Sequence, residues 1–240
     1  MSAANGTGML RPQTLLAHEE VSVTLAIFDL DNTLIAGDSD HSFGEYLADI
    51  GWVDAEQSRA TNNRFYEEYK AGTLDILEYS AFALKALVGK SPEVLAQLQQ
   101  DFLANKIASM ELPKARALVE KHRNQGDDLL IITATNRFVT TPIAQWLGID
   151  DMLATEPEWV DNKITGKVVG TPCFQGGKVT RLNTWLTTYP GNLDGAYFYS
   201  DSFNDLPLLS KVDNPVAVDP DDTLRAHAEQ AGWPIISLRD

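Results

Sequence analysis

The apolar run Val23-Thr24-Leu25-Ala26-Ile27-Phe28 reads as a buried strand, and it stops abruptly at Asp29-Leu30-Asp31-Asn32-Thr33. Beyond it the apolar spacing becomes helical. Phe43, Tyr46, Leu47 and Ile50 form one stripe ending near Gly51, and Phe65, Tyr66 and Tyr69 belong to a second helix ending near Gly72. Leu74, Leu77, Phe82, Leu84 and Leu87 mark a third, closing at Gly89. Ser91-Pro92-Glu93 opens a fourth, with serine as N-cap and proline at the first helical position, and Val94, Leu95, Leu98, Phe102 and Leu103 face inward on it. No convincing strand occurs between about Asp40 and Met110, so this stretch reads as a helical module inserted after the first strand.

Alternation of helix and strand resumes at Leu112. Pro113 to Gln125 is a helix, Asp128 to Ile132 a buried strand and Val139 to Leu147 a helix. Met152 to Val160 and Lys163 to Val169 form a hairpin turning at Asp161-Asn162. Lys178 to Leu186 is helical, Gly195 to Tyr199 a strand and Leu206 to Leu209 a short helical turn. Pro215 to Val218 is a strand, Thr223 to Ala231 a helix and Pro234 to Leu238 a last strand. Strands separated by helices predict an α/β fold with a mostly parallel sheet and right-handed crossovers.

The chain has 240 residues and a formal net charge of -15, which argues against nucleic-acid phosphates or anionic membranes as partners. It leaves room for an anionic small substrate, because a bound cation reverses the local field. A single cysteine, Cys173, excludes an intrachain disulfide and thiolate zinc spacing, and reads as a small, partly buried thiol. No apolar run is long enough for a membrane span, and Met1 to Glu20 lacks the pattern of a signal peptide, so these residues are expected to be a mobile tail and the protein cytoplasmic. Monomer and homodimer are equally open.

In an open parallel sheet, ligands bind beyond the carboxyl ends of the strands. Three predicted strand ends carry chemistry there: Asp29 and Asp31; Thr133-Ala134-Thr135-Asn136; and Ser200-Asp201-Ser202-Phe203-Asn204-Asp205. Lys178 sits on a helix between the last two. Each piece alone has a bland reading. Asp-Asn pairs favour turns, Lys178 suits a solvated helix face, and Asp201 or Asp205 would cap the helix that follows. Their convergence at three strand ends is far more specific than any single piece.

The set Asp29-x-Asp31-x-Thr33, Thr133, Lys178 and Asp201-x-x-x-Asp205 resembles the four motifs of the haloacid dehalogenase superfamily, and it spans about residues 23 to 238. The helical insertion matches that superfamily's first cap type, and the chain resembles the phosphoserine-phosphatase-like branch. Asp38-Ser39-Asp40-His41 and Thr133-Ala134-Thr135-Asn136 resemble a bacterial subgroup, some members of which are linked to histidinol phosphate. The resemblance implies a Rossmann-like core over residues 21–39 and 111–240 and a helical cap over 40–110. It implies a magnesium-dependent phosphomonoesterase acting on a small phosphorylated metabolite, histidinol phosphate or phosphoserine first. Asp29 would be the nucleophile, Asp31 the acid and base, and Thr133 with backbone N–H groups of the following turn would hold the phosphoryl oxygens. Lys178 would neutralise charge. Magnesium would meet Asp29, Asp201 and the Asp31 carbonyl, with Asp205 acting through water or by orienting Lys178. Transfer to an alcohol acceptor uses the same residues, and a non-catalytic phosphometabolite sensor is a further alternative.

Substrate contacts are expected from Asp40, His41, Ala134, Asn136 and Asn204. Asp40 could meet an ammonium and His41 a polar head group; equally, Ser39 or Asp40 could cap the helix with His41 in its first turn. Asn62 and Tyr69 share a helix face and could point toward the site, though packing is the favoured reading; Phe65 and Tyr66 read as packing residues. Arg137, after Asn136, could touch the substrate, though a solvent-facing role is favoured, and the five tryptophans read as packing residues.

Overall fold

A computed structural model describes residues 23–239, so the expected tail from Met1 to Glu20 lies outside the described residues. Strands β1 (Leu25–Phe28), β2 (Asp128–Asn136), β3 (Asp151–Val160), β4 (Lys163–Val169), β5 (Tyr197–Ser200), β6 (Asn214–Val218) and β7 (Ile235–Ile236) form one sheet. Its order is β4-β3-β2-β1-β5-β6-β7, and all neighbours are parallel except β3 and β4. Asp161 and Asn162 turn the β3–β4 hairpin with φ of 49° and 59°, as a tight two-residue turn requires.

β1 is apolar throughout because both of its faces are covered. Ala26 and Phe28 join the core on one side of the sheet, Leu25 and Ile27 the core on the other. From β1 the chain builds outward to β2 and β3, then returns to the opposite side for β5, β6 and β7. That reversal opens a crevice beyond the carboxyl ends of β1 and β5, where such sheets bind ligands.

Helices α1 (Ser39–Asp49), α2 (Ala55–Lys70), α3 (Ile76–Lys85) and α4 (Pro92–Asn105) lie between β1 and α5 (Pro113–Gln125). Phe43, Tyr46 and Leu47 of α1 and Leu95, Leu98 and Phe102 of α4 extend the same core that holds Phe28. The remaining helices are α6 (Arg137–Leu147), α7 (Gly176–Leu186), α8 (Leu206–Leu209) and α9 (Asp222–Ala231).

Several boundaries differ from expectation, each where polar groups rather than apolar spacing decide. β2 continues past Ile132 to Asn136, which pairs with Thr155 after a register shift. The N-cap of α1 is Asp38, whose Oδ1 accepts from the His41 N–H at 2.8 Å, and neither Ser39 nor Asp40. Ser202 caps the turn before α8, and Asp205, which occupies the N-cap position of α8, makes no side-chain cap bond. Cys173 is fully buried, and Trp159 is 47% exposed, unlike the packing residue it was expected to be.

Candidate active site

The carboxyl ends of β1, β2 and β5 bring the predicted chemistry together. Lys178 Nζ, buried, donates to Asp29 Oδ1 at 2.8 Å and to Asp205 Oδ2 at 2.7 Å. Ser200 Oγ also donates to Asp205 Oδ2, at 2.7 Å. Burial alone would lower the lysine pKa, but Asp205 and Asp29 outweigh it and hold the ammonium charged. Burial pushes Asp29 up to about 7, against the pull of Lys178 and with further push from Asp205 and Asp31.

Asp31 is held at both oxygens. The Ser39 N–H donates to Oδ1 at 2.6 Å, and Thr135 Oγ1 donates to Oδ2 at 2.8 Å. Burial, reinforced by Asp38, pushes it up to about 6 although these donors oppose the shift. Thr133 Oγ1 is 3.4 Å from Asp31 Oδ2 and accepts from the Thr135 N–H at 3.2 Å. Thr33 ties β1 to β5: its hydroxyl donates to Asp201 Oδ1 at 3.1 Å and accepts from the Asp201 N–H at 3.1 Å. Burial and then Asp29 and Asp205 hold Asp201 well above the usual carboxylate range.

These donors suit a magnesium ion, which takes oxygen ligands and keeps several waters. Among the described residues, side-chain donors reach Asp29 and Asp201 only at Oδ1, leaving a second oxygen on each. Lys178 pairs with Asp29 and Asp205 alone, while Asp31 and Asp201 also press on Asp29, so added positive charge would relieve their repulsion. No cage of three His, Cys, Asp or Glu side chains occurs among the described residues. Two carboxylates, the Asp31 carbonyl and water would satisfy magnesium without one.

Over this edge lies a cavity of about 540 Å³, including its open mouth. Its floor is Asp29, Asp31 and Thr133 to Thr135; its helical wall holds Asp38, Asp40, His41, Asn62, Phe65, Tyr66, Tyr69 and Tyr79. No lysine or arginine lines it among the described residues. Asp40 is buried, accepts from Asn136 Nδ2 at 3.3 Å and lies well above the usual carboxylate range through burial, then Asp38 and Asp31. His41 Nε2 is 2.9 Å from Asn63 Oδ1, and its ring packs on Tyr66 at 4.6 Å.

Other predicted residues have structural partners. Asn136 caps α6, accepting from the Val139 N–H at 3.2 Å. The Ala134 carbonyl accepts from Thr155 Oγ1 at 2.7 Å, while Ala134 itself lines the cavity. The Asn204 amide is engaged at both ends, donating to the Tyr69 carbonyl at 3.2 Å and accepting from Gln175 Nε2 at 2.9 Å. Asn62 donates to the His41 carbonyl at 2.9 Å, locking α2 on α1. Arg137 is not simply solvent-facing: its Nε pairs with Glu156 at 2.8 Å and NH2 donates to the Met152 carbonyl at 2.7 Å. Thr33, Thr135, Ser200 and Asp38 stood in the quoted motifs without a role of their own, and Tyr79 was absent from the predicted site altogether.

A haloacid dehalogenase-like hydrolase family model matches residues 26–210. A histidinol-phosphatase of Neisseria meningitidis serogroup C is 44% identical over 90% of this chain and 99% of that protein. A phosphoserine phosphatase of Mycobacterium tuberculosis is 33% identical over 89% of this chain and 70% of the relative. A crystal structure of a protein with unknown function from Bordetella pertussis Tohama I superposes with a TM-score of 0.85 at 39% identity, covering 90% of this chain and 99% of that one.

Proposed function

This chain belongs to the haloacid dehalogenase-like hydrolases and is a phosphatase, and from that premise we propose that its substrate is a small phosphomonoester whose leaving group is cationic and carries no carboxylate. Histidinol phosphate, with an ammonium and an imidazole, fits this description; phosphoserine, whose leaving group carries a carboxylate beside its ammonium, is the competing substrate that the description disfavours. The observation that carries this reading is the helical wall, where Asp38 and Asp40 stand among aromatic rings without a lysine or arginine. An entering cation gains their charge and the ring faces. Burial holds Asp38 and Asp40 toward the neutral form, so an entering cation is the partner that lets them ionise, whereas a carboxylate finds no lysine or arginine among the described lining residues.

An Asp29 carboxylate oxygen attacks phosphorus, and the bond to the leaving oxygen breaks as Asp31 donates its proton to that oxygen. The pKa of Asp31 near 6 keeps a protonated fraction available close to neutral pH. Ionised Asp31 then takes a proton from water as the water oxygen attacks the aspartyl-phosphate, releasing phosphate and restoring Asp29. The Ser39 N–H and Thr135 hydroxyl hold Asp31 in one orientation for both steps. Lys178 orients Asp29 and balances phosphoryl charge, with Asp205 fixing the lysine. Thr133 and the N–H groups after it meet phosphoryl oxygens. Magnesium held by Asp29, Asp201 and the Asp31 carbonyl would draw phosphate against the carboxylates and stabilise transition-state charge. Helices α1 to α3 act as the cap that reads the leaving group and limits water access.

Phosphate release from a panel of phosphorylated metabolites, with magnesium or EDTA, tests the assignment. Asp29→Asn should lower turnover about 10⁴-fold, as loss of a covalent nucleophile does. Turnover that survives both the substitution and EDTA would remove the nucleophile and the metal from the account.

A further inference from the structure

Gln175 stands where glutamine is costly. Its backbone has φ 47° and ψ -122°, a conformation that suits glycine, yet the next two residues are the glycines. Its side chain donates to Asn204 Oδ1 at 2.9 Å, and the other end of that buried amide donates to the Tyr69 carbonyl at 3.2 Å. One amide thus joins three segments. Tyr69 ends α2 and lines the cavity, Asn204 lies between Asp201 and Asp205, and Gln175 precedes the turn of α7 that carries Lys178. The seating is close on both sides of this link. The Tyr69 and Phe174 rings are 5.9 Å apart. A Cβ at Gly72, where φ is 72°, would lie 2.8 Å from Phe203 Cζ.

We propose that Gln175 is a positioning residue which, through Asn204, couples the seating of the Tyr69 end of α2 over the pocket to the placement of Asp205 and Lys178. A purely structural reason for residue 175 would favour glycine, which adopts the backbone without strain. The glutamine amide is what glycine lacks, and its polar partner leads to the helical wall. A leaving group that packs on Tyr69 therefore favours the same arrangement that holds the lysine on Asp29. This inference rests on the phosphatase mechanism above for its kinetic consequence, while its structural half stands on the amide link.

Gln175→Gly, Asn204→Ala and the double variant test it. Gln175→Gly is expected to melt at or above the wild-type temperature, because backbone strain is relieved. Its kcat on histidinol phosphate should fall about tenfold, in the range seen when supporting hydrogen bonds of an active site are removed. A small aryl phosphate, which leaves the helical wall unfilled, should change far less. In the Asn204→Ala background, Gln175→Gly should cost nothing more. Amide hydrogen exchange at Gly72 and Thr73 should speed up in Gln175→Gly. Unchanged kcat and exchange, equal loss on both substrates, or additive losses in the double variant would overturn the proposal. A wild-type protein inactive on every substrate would overturn the phosphatase mechanism instead, and exchange at Gly72 and Thr73 would still decide the link.

Discussion

The sheet edge and the helical wall face each other across one cavity, yet they handle charge in opposite ways. At the edge, Asp29 and Asp205 share Lys178, Asp201 has Thr33, and Asp31 has Ser39 and Thr135. At the wall, Asp40 has a 3.3 Å contact with Asn136, and among the described residues no lysine or arginine lines the space beside it. Charges already anchored by the protein suit a reaction that is the same for every phosphomonoester. Carboxyls that burial holds toward the neutral form suit recognition, because a cationic ligand lets them ionise. On the proposed mechanism, the reaction belongs to the sheet edge and the choice of substrate to the helices.

The largest disturbance of this contrast should come from Lys178→Met. It strands Asp29 and Asp205 as buried, unpaired carboxylates, so chemical denaturation should show a loss of about 3–5 kcal/mol, together with loss of turnover on all substrates. A fully stable Lys178→Met would mean that the edge is not neutralised as described. Gly44→Ala acts on the wall alone. An added Cβ would sit 2.7 Å from the Asn62 amide that locks α2 on α1. Melting should reveal about 1–3 kcal/mol of destabilisation, and selectivity should suffer before aryl phosphate hydrolysis does.

The smallest effect is expected at Cys173, buried behind the sheet edge, where its N–H meets Thr155 Oγ1 at 3.1 Å. Burial pushes the Cys173 thiol up to about 12. The folded protein keeps that proton while the unfolded chain, with a thiol pKa of about 8.5, loses it. The native state then binds more protons, so the thiol's contribution is complete below about pH 8.5 and declines as pH rises toward 12. Iodoacetamide should accordingly leave native Cys173 unmodified at pH 8 and label it after unfolding. Rapid native labelling would contradict its burial.

The sheet edge was largely legible in the sequence because each residue follows an apolar strand that declares itself. Asp29 and Asp31 end β1, Thr133 lies in the run extending β2, and Asp201 follows β5. Lys178 was harder, since a lysine on a helix is normally solvated and only tertiary packing buries it at 3% exposure. The wall was less legible. Apolar spacing located α1 and α2 but said nothing of their rotation over the site, so Asp38 was missed and Asp40 was left between capping and recognition. Asn204 was expected on the substrate because its neighbours are catalytic candidates; a carbonyl at the end of α2 and a side chain preceding α7 engage it instead. Arg137 was misread for a similar reason, since Glu156 lies on β3, outside its local sequence.

The most direct test compares kcat/KM for histidinol phosphate, phosphoserine and a small aryl phosphate, with magnesium, in wild type and Asp40→Asn. The account predicts that wild type prefers histidinol phosphate, and that Asp40→Asn lowers this preference about 30-fold, equivalent to roughly 2 kcal/mol for an unpaired buried charge, while hydrolysis of the aryl phosphate is retained. A preference unchanged by Asp40→Asn, or equal losses on all three substrates, would contradict the division of labour between sheet edge and helical wall.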